Sequence, residues 1–291
     1  MVLPFVTLFP VDMRAQGPPA RSYLNAPVDQ VRFFMDLVGS SAETAAASDI
    51  PLPNNVTVTR NGFVTLLYSF PLANRYGGVQ VGGGYARVNV NGPLGKIQTS
   101  GFTDPSITFH VNFFGAPALR REQLPKWTQQ TFSSFHLTVN APLGSYDRNS
   151  AVNTGGNRWA FTPVVNLAIT PDKGVSWIDL TAGARFVTDN NEFQGQLSQD
   201  PLWVLTAYYS HNIGKRTWAG IGLHYENGGQ SFINHIAQHD YANGFQPAVI
   251  IGTRLGKFSI ALRYENTASR PNAAPTNGLL ALQIGGPVYP F

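Results

Sequence analysis

The sequence has no cysteine, few charged residues and no long apolar run. Without cysteine the chain can form neither disulfide bonds nor thiolate metal sites, which is compatible with export through an oxidising periplasm. Charged residues make up 12% of the 291 residues, against about a quarter in ordinary proteins. No stretch of about 18 apolar residues is present, which excludes a transmembrane helix. The net charge of +4 is scattered along the chain, so no nucleic-acid partner is expected.

The sequence does contain segments in which apolar and polar side chains alternate. In Ile107–Phe113 large apolar side chains alternate one by one with Thr108, His110 and Asn112. Because a strand turns successive side chains to opposite faces, this pattern predicts a sheet with one apolar face and one wet face. Aromatic residues at 12%, 29 glycines and 21 prolines also favour an all-β chain with many turns.

Segments of this kind recur about twelve times along the chain. The first begins at Val28, and the others cover approximately 56–70, 78–90, 103–113, 132–141, 158–169, 176–188, 202–212, 217–227, 245–254, 258–266 and 279–291. Strands of roughly nine or more residues suit a tilted membrane crossing. The pattern therefore predicts a transmembrane antiparallel β-barrel of about twelve strands.

The predicted connections differ in length between the two ends of the barrel. The outer connections are long, at about 39–55, 91–102, 142–157, 189–201, 228–244 and 267–278. The inner ones are short, at about 71–77, 170–175, 213–216 and 255–257, except that 114–131 is long enough for a short amphipathic helix at the periplasmic rim. This asymmetry is typical of outer-membrane barrels with both termini periplasmic, and it disfavours the alternative of a soluble ligand-binding barrel.

The two ends of the chain carry targeting features. Met1–Val11 is apolar and leads to Met13–Gln16, which resembles a secretory signal that lacks its basic start. Residues 1–15 are therefore predicted to be a truncated signal peptide, and residues 16–291 a single barrel domain. The chain ends on Tyr289-Pro290-Phe291, which resembles the signal that the barrel assembly machinery reads on a last strand. That machinery and outer-membrane lipid are the predicted partners.

Parity assigns a set of polar residues to the wet face of the barrel, as candidates for the lining of a pore. They are Arg32, Asp36, His110, Asn112, His136, Asn140, Asp179, Arg185, His224, Glu226, Arg263 and Glu265. Their mixed signs argue against a strong ion filter. The expected function is the passage of small, apolar or aromatic solutes.

No cofactor or metal is expected. His235 and His239 have metal-ligand spacing if helical, but they lack the glutamate of the zinc-protease motif and fall in a predicted surface loop. The tryptophans 159, 177, 203 and 218, with tyrosines 208, 209, 264 and 289, fall near strand ends. They are predicted to form aromatic girdles at the membrane interfaces rather than a ladder that stacks substrate.

One motif raises an enzymatic alternative. His224-Tyr225-Glu226-Asn227-Gly228 resembles the His-x-Ser-Asn-Gly motif of an outer-membrane phospholipase, but Glu226 occupies the position of the nucleophile. Ester hydrolysis by a Ser–His pair needs a hydroxyl there. The sequence therefore predicts no catalytic residue, with a lipid hydrolase as the alternative.

Stretches spread over Tyr23–Phe291 resemble one bacterial family. They are Tyr23–Val28, Asp104-Pro105, Gly115–Leu119, Ala141–Asp147, Asn157–Phe161, Thr188–Asn190 and Gln199–Leu202. Together they are similar to the MetA-pathway of phenol degradation family of outer-membrane proteins. The resemblance implies an outer-membrane barrel that passes aromatic or other small organic compounds inward, without identifying phenol as the solute. The prolines near the C-terminus depart from the usual pattern of a last strand.

Overall fold

The computed structural model describes residues 18–44, 55–92, 95–193, 195–238, 240–268 and 276–289, and its regular structure is almost entirely β. The predicted signal peptide, residues 1–15, lies outside this part of the chain. In chain order the strands are β1 Gln30–Thr44, β2 Asn55–Leu72, β3 Arg75–Gly92, β4 Gly95–Phe102, β5 Ser106–Phe114, β6 Phe132–Asn140, β7 Ala160–Ile169, β8 Ser176–Val187, β9 Leu197–Gln199, β10 Leu202–Asn212, β11 Thr217–Gly228, β12 Ser231–Ile233, β13 Ile236–Ala237, β14 Ala242–Leu255, β15 Phe258–Asn266 and β16 Thr276–Tyr289.

Twelve of these strands close into an antiparallel barrel. Neighbouring strands around the wall are β1, β2, β3, β5, β6, β7, β8, β10, β11, β14, β15 and β16, and β16 pairs with β1 to complete the circle. No helix in the described residues is long and apolar enough to cross a membrane. The predicted fold class is confirmed. Closure supplies each wall strand with a neighbour on both sides, which satisfies its backbone groups without water.

The strand predictions hold closely, but three predicted outer connections, at 91–102, 189–201 and 228–244, contain strands of their own. Residues 91–102 were expected to be a loop, yet Gly95–Phe102 forms β4, which pairs with the outer end of β3. Almost all of β4 is exposed, so it has no apolar face that alternation could reveal. The sheet therefore extends beyond the apolar belt through backbone pairing alone.

Burial follows the predicted alternation of faces. On β5, Phe109 is 38% exposed and Phe113 54% exposed, whereas His110 is 4% and Asn112 2% exposed. The exposed apolar side chains recur on strand after strand around the outer surface, for example Val249 at 54%. This belt is the surface that lipid covers, and the opposite face encloses the lumen.

The predicted aromatic girdle is correct only in part. Trp159 and Trp203 lie on the outer surface, 46% and 56% exposed, as expected. Trp177 and Tyr208 are instead 1% and 2% exposed inside the barrel, and Trp218 lines a lumen cavity. Nearness to a strand end does not decide which face a residue takes, because parity along the strand does. These three rings fill the lumen near the short turns.

The turns at the short end are tight. Leu72 pairs with Arg75, and the two residues between them, Ala73 and Asn74, have φ of 47° and 63°. Positive φ at both central residues is the two-residue hairpin geometry that matches strand twist. The longer connection 115–131 holds a single 3₁₀ turn, Leu124–Lys126, with no buried residue, so the amphipathic helix expected there was wrong.

One tyrosine bridges four strands of the wall from inside. Tyr208 pairs with Gly222, Gly222 with Ala248, and Ala248 with Glu265, so these residues lie in one row. The Tyr208 hydroxyl donates to Glu265 Oε1 at 2.8 Å, and Glu265 also pairs with Arg263 Nη1 at 3.2 Å. A Cβ at Gly222 would overlap the Tyr208 ring. The glycine is therefore required for the ring to lie flat along the wall.

The two faces of β5 provide a direct test of the fold. Phe109→Arg should destabilise the barrel by about 2–4 kcal/mol because it places a charge in lipid. Thr108→Arg, one residue away, should be tolerated because Thr108 lines a lumen cavity. Urea titration in detergent, followed by the mobility shift of folded barrel on unheated gels, measures the difference. Equal losses would contradict the assignment of faces.

The tyrosine row provides a second test. Gly222→Val should destabilise the barrel by about 1–3 kcal/mol, since it displaces Tyr208 and breaks the bond to Glu265. Gly83→Val is the matched control, because a Cβ at Gly83 meets nothing within 4 Å. The same urea titration compares the two variants. A Gly222→Val protein as stable as the control would show that the row contributes nothing.

Candidate functional site: the barrel lumen

Two cavities lie in the part of the lumen that the described residues enclose. The larger, about 630 Å³, lies towards the short turns and is bounded on one side by residues 18–26. The smaller, about 330 Å³, lies towards the long loops. Pro18, Asp36, Phe63 and Gln80 border both, so the cavities meet at the level of these residues.

The N-terminal segment, Pro18–Asp29, occupies the lumen. It precedes β1 and folds back into the bore, where its first part packs against strands β8, β10, β11 and β14. Ala20 is 4% exposed in a cluster with Tyr208, Ala248 and Ile250. A segment of the chain therefore lies across the route between the two ends of the barrel.

Arg21 attaches this segment to the wall. Its Nε donates to Ser210 Oγ at 2.8 Å and its Nη1 to Asn212 Oδ1 at 2.6 Å. Its backbone N–H donates to Asp179 Oδ2 at 3.1 Å, and its guanidinium lies 4.8 Å from the Trp218 ring centroid. Charged hydrogen bonds of this kind are stronger than neutral ones, so Arg21 is the main polar anchor of the segment.

A stack of rings forms a second anchor. Tyr23 stacks on His136 with ring centroids 3.8 Å apart, His136 lies 5.4 Å from His110, and His110 lies 5.2 Å from Tyr76. The stack includes two of the predicted lining histidines. A Cβ at Gly78 would overlap His110. His136 therefore packs directly against the segment, and His110 packs between His136 and Tyr76.

The base of the segment is held by backbone contacts at the short end. Asn25 Nδ2 donates to the carbonyl of Pro117 at 3.0 Å, and the Val28 N–H donates to the carbonyl of Leu119 at 2.8 Å. Ala26, Val28 and Tyr76 form a small buried cluster beside them. Two stretches of the family resemblance, Tyr23–Val28 and Gly115–Leu119, thus meet here.

The long-loop end of the barrel is narrowed by a loop that folds inward. Asp104 Oδ1 accepts from the Gly144 N–H and its Oδ2 from the Gly156 N–H, both at 2.8 Å. These bonds hold the loop between β6 and β7 against the wall, where Val152 packs on Val88 and Val90 inside the barrel. A buried carboxylate with two backbone donors is a stable loop anchor.

Three further stretches of the resemblance meet beside this loop. Asn190 lies 2% exposed, and its Oδ1 accepts from Asn157 Nδ2 at 3.2 Å. Arg158 Nη2 donates to Gln199 Oε1 at 2.8 Å. Strands β9, β12 and β13 form a small separate sheet over this end, within connections that were predicted to be loops. Its strands are two or three residues long, too short for a pattern to show.

The predicted lining residues all lie on the inner face, in three groups. The first group borders the larger cavity: Arg32, Asp36, His110, Asn112, His136 and Arg263. The second borders the smaller cavity: Asp36, Asn140 and Arg185. The third is buried and bonded within the lumen: Asp179, His224, Glu226 and Glu265. Parity placed these side chains on the inner face but could not show which of them border open space.

The geometry of His224 argues against a lipid hydrolase. Its Nε2 lies 3.1 Å from Glu226 Oε1, and its Nδ1 lies 3.2 Å from the Thr206 hydroxyl. All three side chains are buried on the inner face, with at most 5% exposure. A membrane lipid would approach from the outer surface, and neither His224 nor Glu226 is reached from there. His239, in the other histidine motif, lies outside the described residues.

Sequence reasoning missed the residues that restrict the lumen. Arg21 and Tyr23 precede the first strand, where no period marks a buried segment. Lys215, Arg216 and Arg254 lie in or beside short turns, yet they border the larger cavity. The resemblance over Tyr23–Val28 was the one signal that the segment matters.

Comparisons with known proteins agree with this architecture. The crystal structure of the COG4313 outer membrane channel from Pseudomonas putida F1 superposes with a TM-score of 0.78 at 21% identity, over 94% of this chain and 100% of that chain. The β domain of the Bordetella autotransporter BrkA superposes with a TM-score of 0.57 at 8% identity, over 89% of this chain and 100% of that chain. The transport unit of the Escherichia coli autotransporter AIDA-I superposes with a TM-score of 0.50 at 12% identity, over 90% of this chain and 92% of that chain.

These likenesses establish the fold. A comparison with curated protein sequences found no match. A closed twelve-strand barrel with an apolar outer belt is the fold of outer-membrane channels of Gram-negative bacteria, and the outer membrane is where this protein resides. The soluble alternative is therefore wrong. Residues 39–279 match the profile of the family described as "Putative MetA-pathway of phenol degradation", and since this is most of the chain, the protein belongs to that family.

Proposed function

We propose that the protein passes small, apolar or aromatic solutes through its lumen, and that the N-terminal segment restricts this passage. The observation that carries the proposal is the lumen itself, in which two cavities meet beside Pro18. The smaller lies towards the long loops and the larger towards the short turns. In this proposal they form a route that is narrowed by the N-terminal segment at one end and by the inward-folding loop between β6 and β7 at the other.

The lining of the smaller cavity suits solutes without charge. Most of its polar groups are neutral hydroxyls and amides, contributed by Asn61, Thr65, Thr103, Ser106, Thr108, Thr138, Asn140, Thr162 and Thr181. Phe63, Val164 and Val204 add apolar surface between them. Hydroxyls can donate or accept, so they exchange partners with a moving solute at little cost.

Two buried groups in this cavity support a solute that also forms hydrogen bonds. The Asn61 amide is 7% exposed, and neither its nitrogen nor its oxygen has a partner among the described residues. The Thr103 hydroxyl is in the same situation. A buried polar group without a partner is costly, so a phenolic or carbonyl group at this level would be favourable.

The lengths of the connections support an orientation of the barrel in the membrane. The described chain enters β1 and leaves β16 at the short-turn end, where Val31 pairs with Tyr289. In this proposal that end faces the periplasm and the long loops face outward. Contact between the barrel assembly machinery and the last strand stays a prediction, because Phe291 lies outside the described residues.

Single-channel recording tests the passage. Purified full-length protein in a planar bilayer should conduct ions weakly, and benzyl alcohol should interrupt the current because it occupies the lumen. Glucose is the control, since its many hydroxyls cannot all be satisfied in a partly apolar cavity. An absence of current in every form of the protein, including the variant described next, would overturn the proposal.

Weakening the anchors of the N-terminal segment should open the lumen. The double change Arg21→Ala with Tyr23→Ala removes the bonds to Ser210 and Asn212 and the stack on His136, about 2–3 kcal/mol of anchoring. The single-channel conductance should rise and become steadier. Ser22→Ala is the control, because the Ser22 hydroxyl bonds within the segment, to the carbonyl of Pro19. Conductance equal in both variants would show that the segment does not restrict passage.

A further inference from the structure

The larger cavity carries an unequal charge. Among the described residues, its lining has a single carboxylate, Asp36, against six cationic side chains: Arg21, Arg32, Lys215, Arg216, Arg254 and Arg263. Asp36 is itself engaged, since its Oδ1 accepts from Gln283 Nε2 at 2.9 Å. This differs from the mixed signs expected from the wall residues alone.

Two of the six cations are already compensated within the protein. Arg263 pairs with Glu265, and Arg21 is bonded to Ser210 and Asn212 and lies next to Asp179. The other four show no ion pair with any carboxylate in the part of the chain that the structure describes. They are Arg32, Lys215, Arg216 and Arg254. The positive charge that remains is therefore concentrated at the short-turn half of the lumen.

Arg32 is the innermost of these four. Its Nε is buried and has no hydrogen-bond partner among the described residues. Arg254 borders the same cavity, so the two positive charges face a shared space. Like charges that face a partly enclosed cavity repel more strongly than they would in water. An anion between them would remove that repulsion and complete the hydrogen bonds of the guanidinium groups.

Apolar side chains border the cavity alongside these cations. The Arg32 guanidinium lies 5.7 Å from the Phe34 ring centroid, and Phe34, Ile260 and Ala261 border the same cavity. A small hydrated ion would gain nothing from these side chains. A ligand with one anionic group and an apolar body would satisfy both parts of the site.

We propose that the larger cavity binds a small organic carboxylate, aromatic or aliphatic. Its carboxylate lies between Arg32 and Arg254, and its apolar body packs on Phe34 and Ile260. This names a ligand class for the larger cavity, in addition to the uncharged solutes that suit the smaller one, and rests on the proposed passage for its biological role. The binding itself is measurable whether or not passage occurs.

Titration calorimetry on the detergent-solubilised, full-length protein tests the site. Benzoate should bind, whereas benzylamine, with the same ring and the opposite charge, should not. Arg32→Gln with Arg254→Gln should weaken benzoate binding about tenfold or more, since two charged hydrogen-bond donors are lost. Arg254→Gln alone, at the exposed end of its strand, should give a smaller loss without risk to the fold. Each variant is first checked for the mobility shift of a folded barrel.

Lys126→Gln is the matched control, because Lys126 is an exposed cation at the same end that does not border the cavity. The site is overturned if benzoate does not bind, or if the double variant binds it as tightly as the parent. Inorganic phosphate that binds as tightly as benzoate would overturn the organic ligand. If benzoate binds as expected but no form conducts, passage fails and the site stands. If current flows but the arginine substitutions leave the benzoate affinity unchanged, the proposed passage stands and the proposed site fails.

Discussion

Backbone hydrogen bonding in lipid is the constraint on which this structure depends. A strand in the membrane has no water to satisfy its N–H and C=O groups, so the sheet must close on itself. Closure here is made where β16 pairs with β1. Once the wall is closed, each strand has an outer face for lipid and an inner face for the lumen. The row from Tyr208 to Glu265 and the anchored N-terminal segment then depend on that enclosed space.

Much of this fold could be predicted from the sequence because the same constraint imposes an alternation of apolar and polar residues on each strand. A strand between lipid and water must alternate, as Phe109 and His110 do, and it must do so over the whole membrane crossing. The lengths of the predicted connections distinguish the two ends of the barrel. Alternation fails where the lipid face ends, which is why β4 was missed: beyond the belt both of its faces meet water.

The contents of the lumen could not be predicted in the same way. The N-terminal segment has neither strand nor helix period, and its role depends on contacts with residues more than a hundred positions away, such as Arg21 with Ser210. The girdle prediction failed at Trp177 for a related reason. An aromatic residue near a strand end can anchor in lipid or fill a narrow lumen, and only its parity in the register decides between them.

The charge of the lumen shows how pairing, rather than composition, sets the chemistry of a pore. Counted along the wall, the inward charges nearly balance. Glu265 is bonded to Tyr208 and Arg263, Glu226 lies beside His224, and Asp179 accepts from the Arg21 backbone. A carboxylate that is held in this way compensates its neighbours and has little effect across a partly enclosed cavity. In the larger cavity, the charge without a partner among the described carboxylates therefore belongs to cations near the short turns.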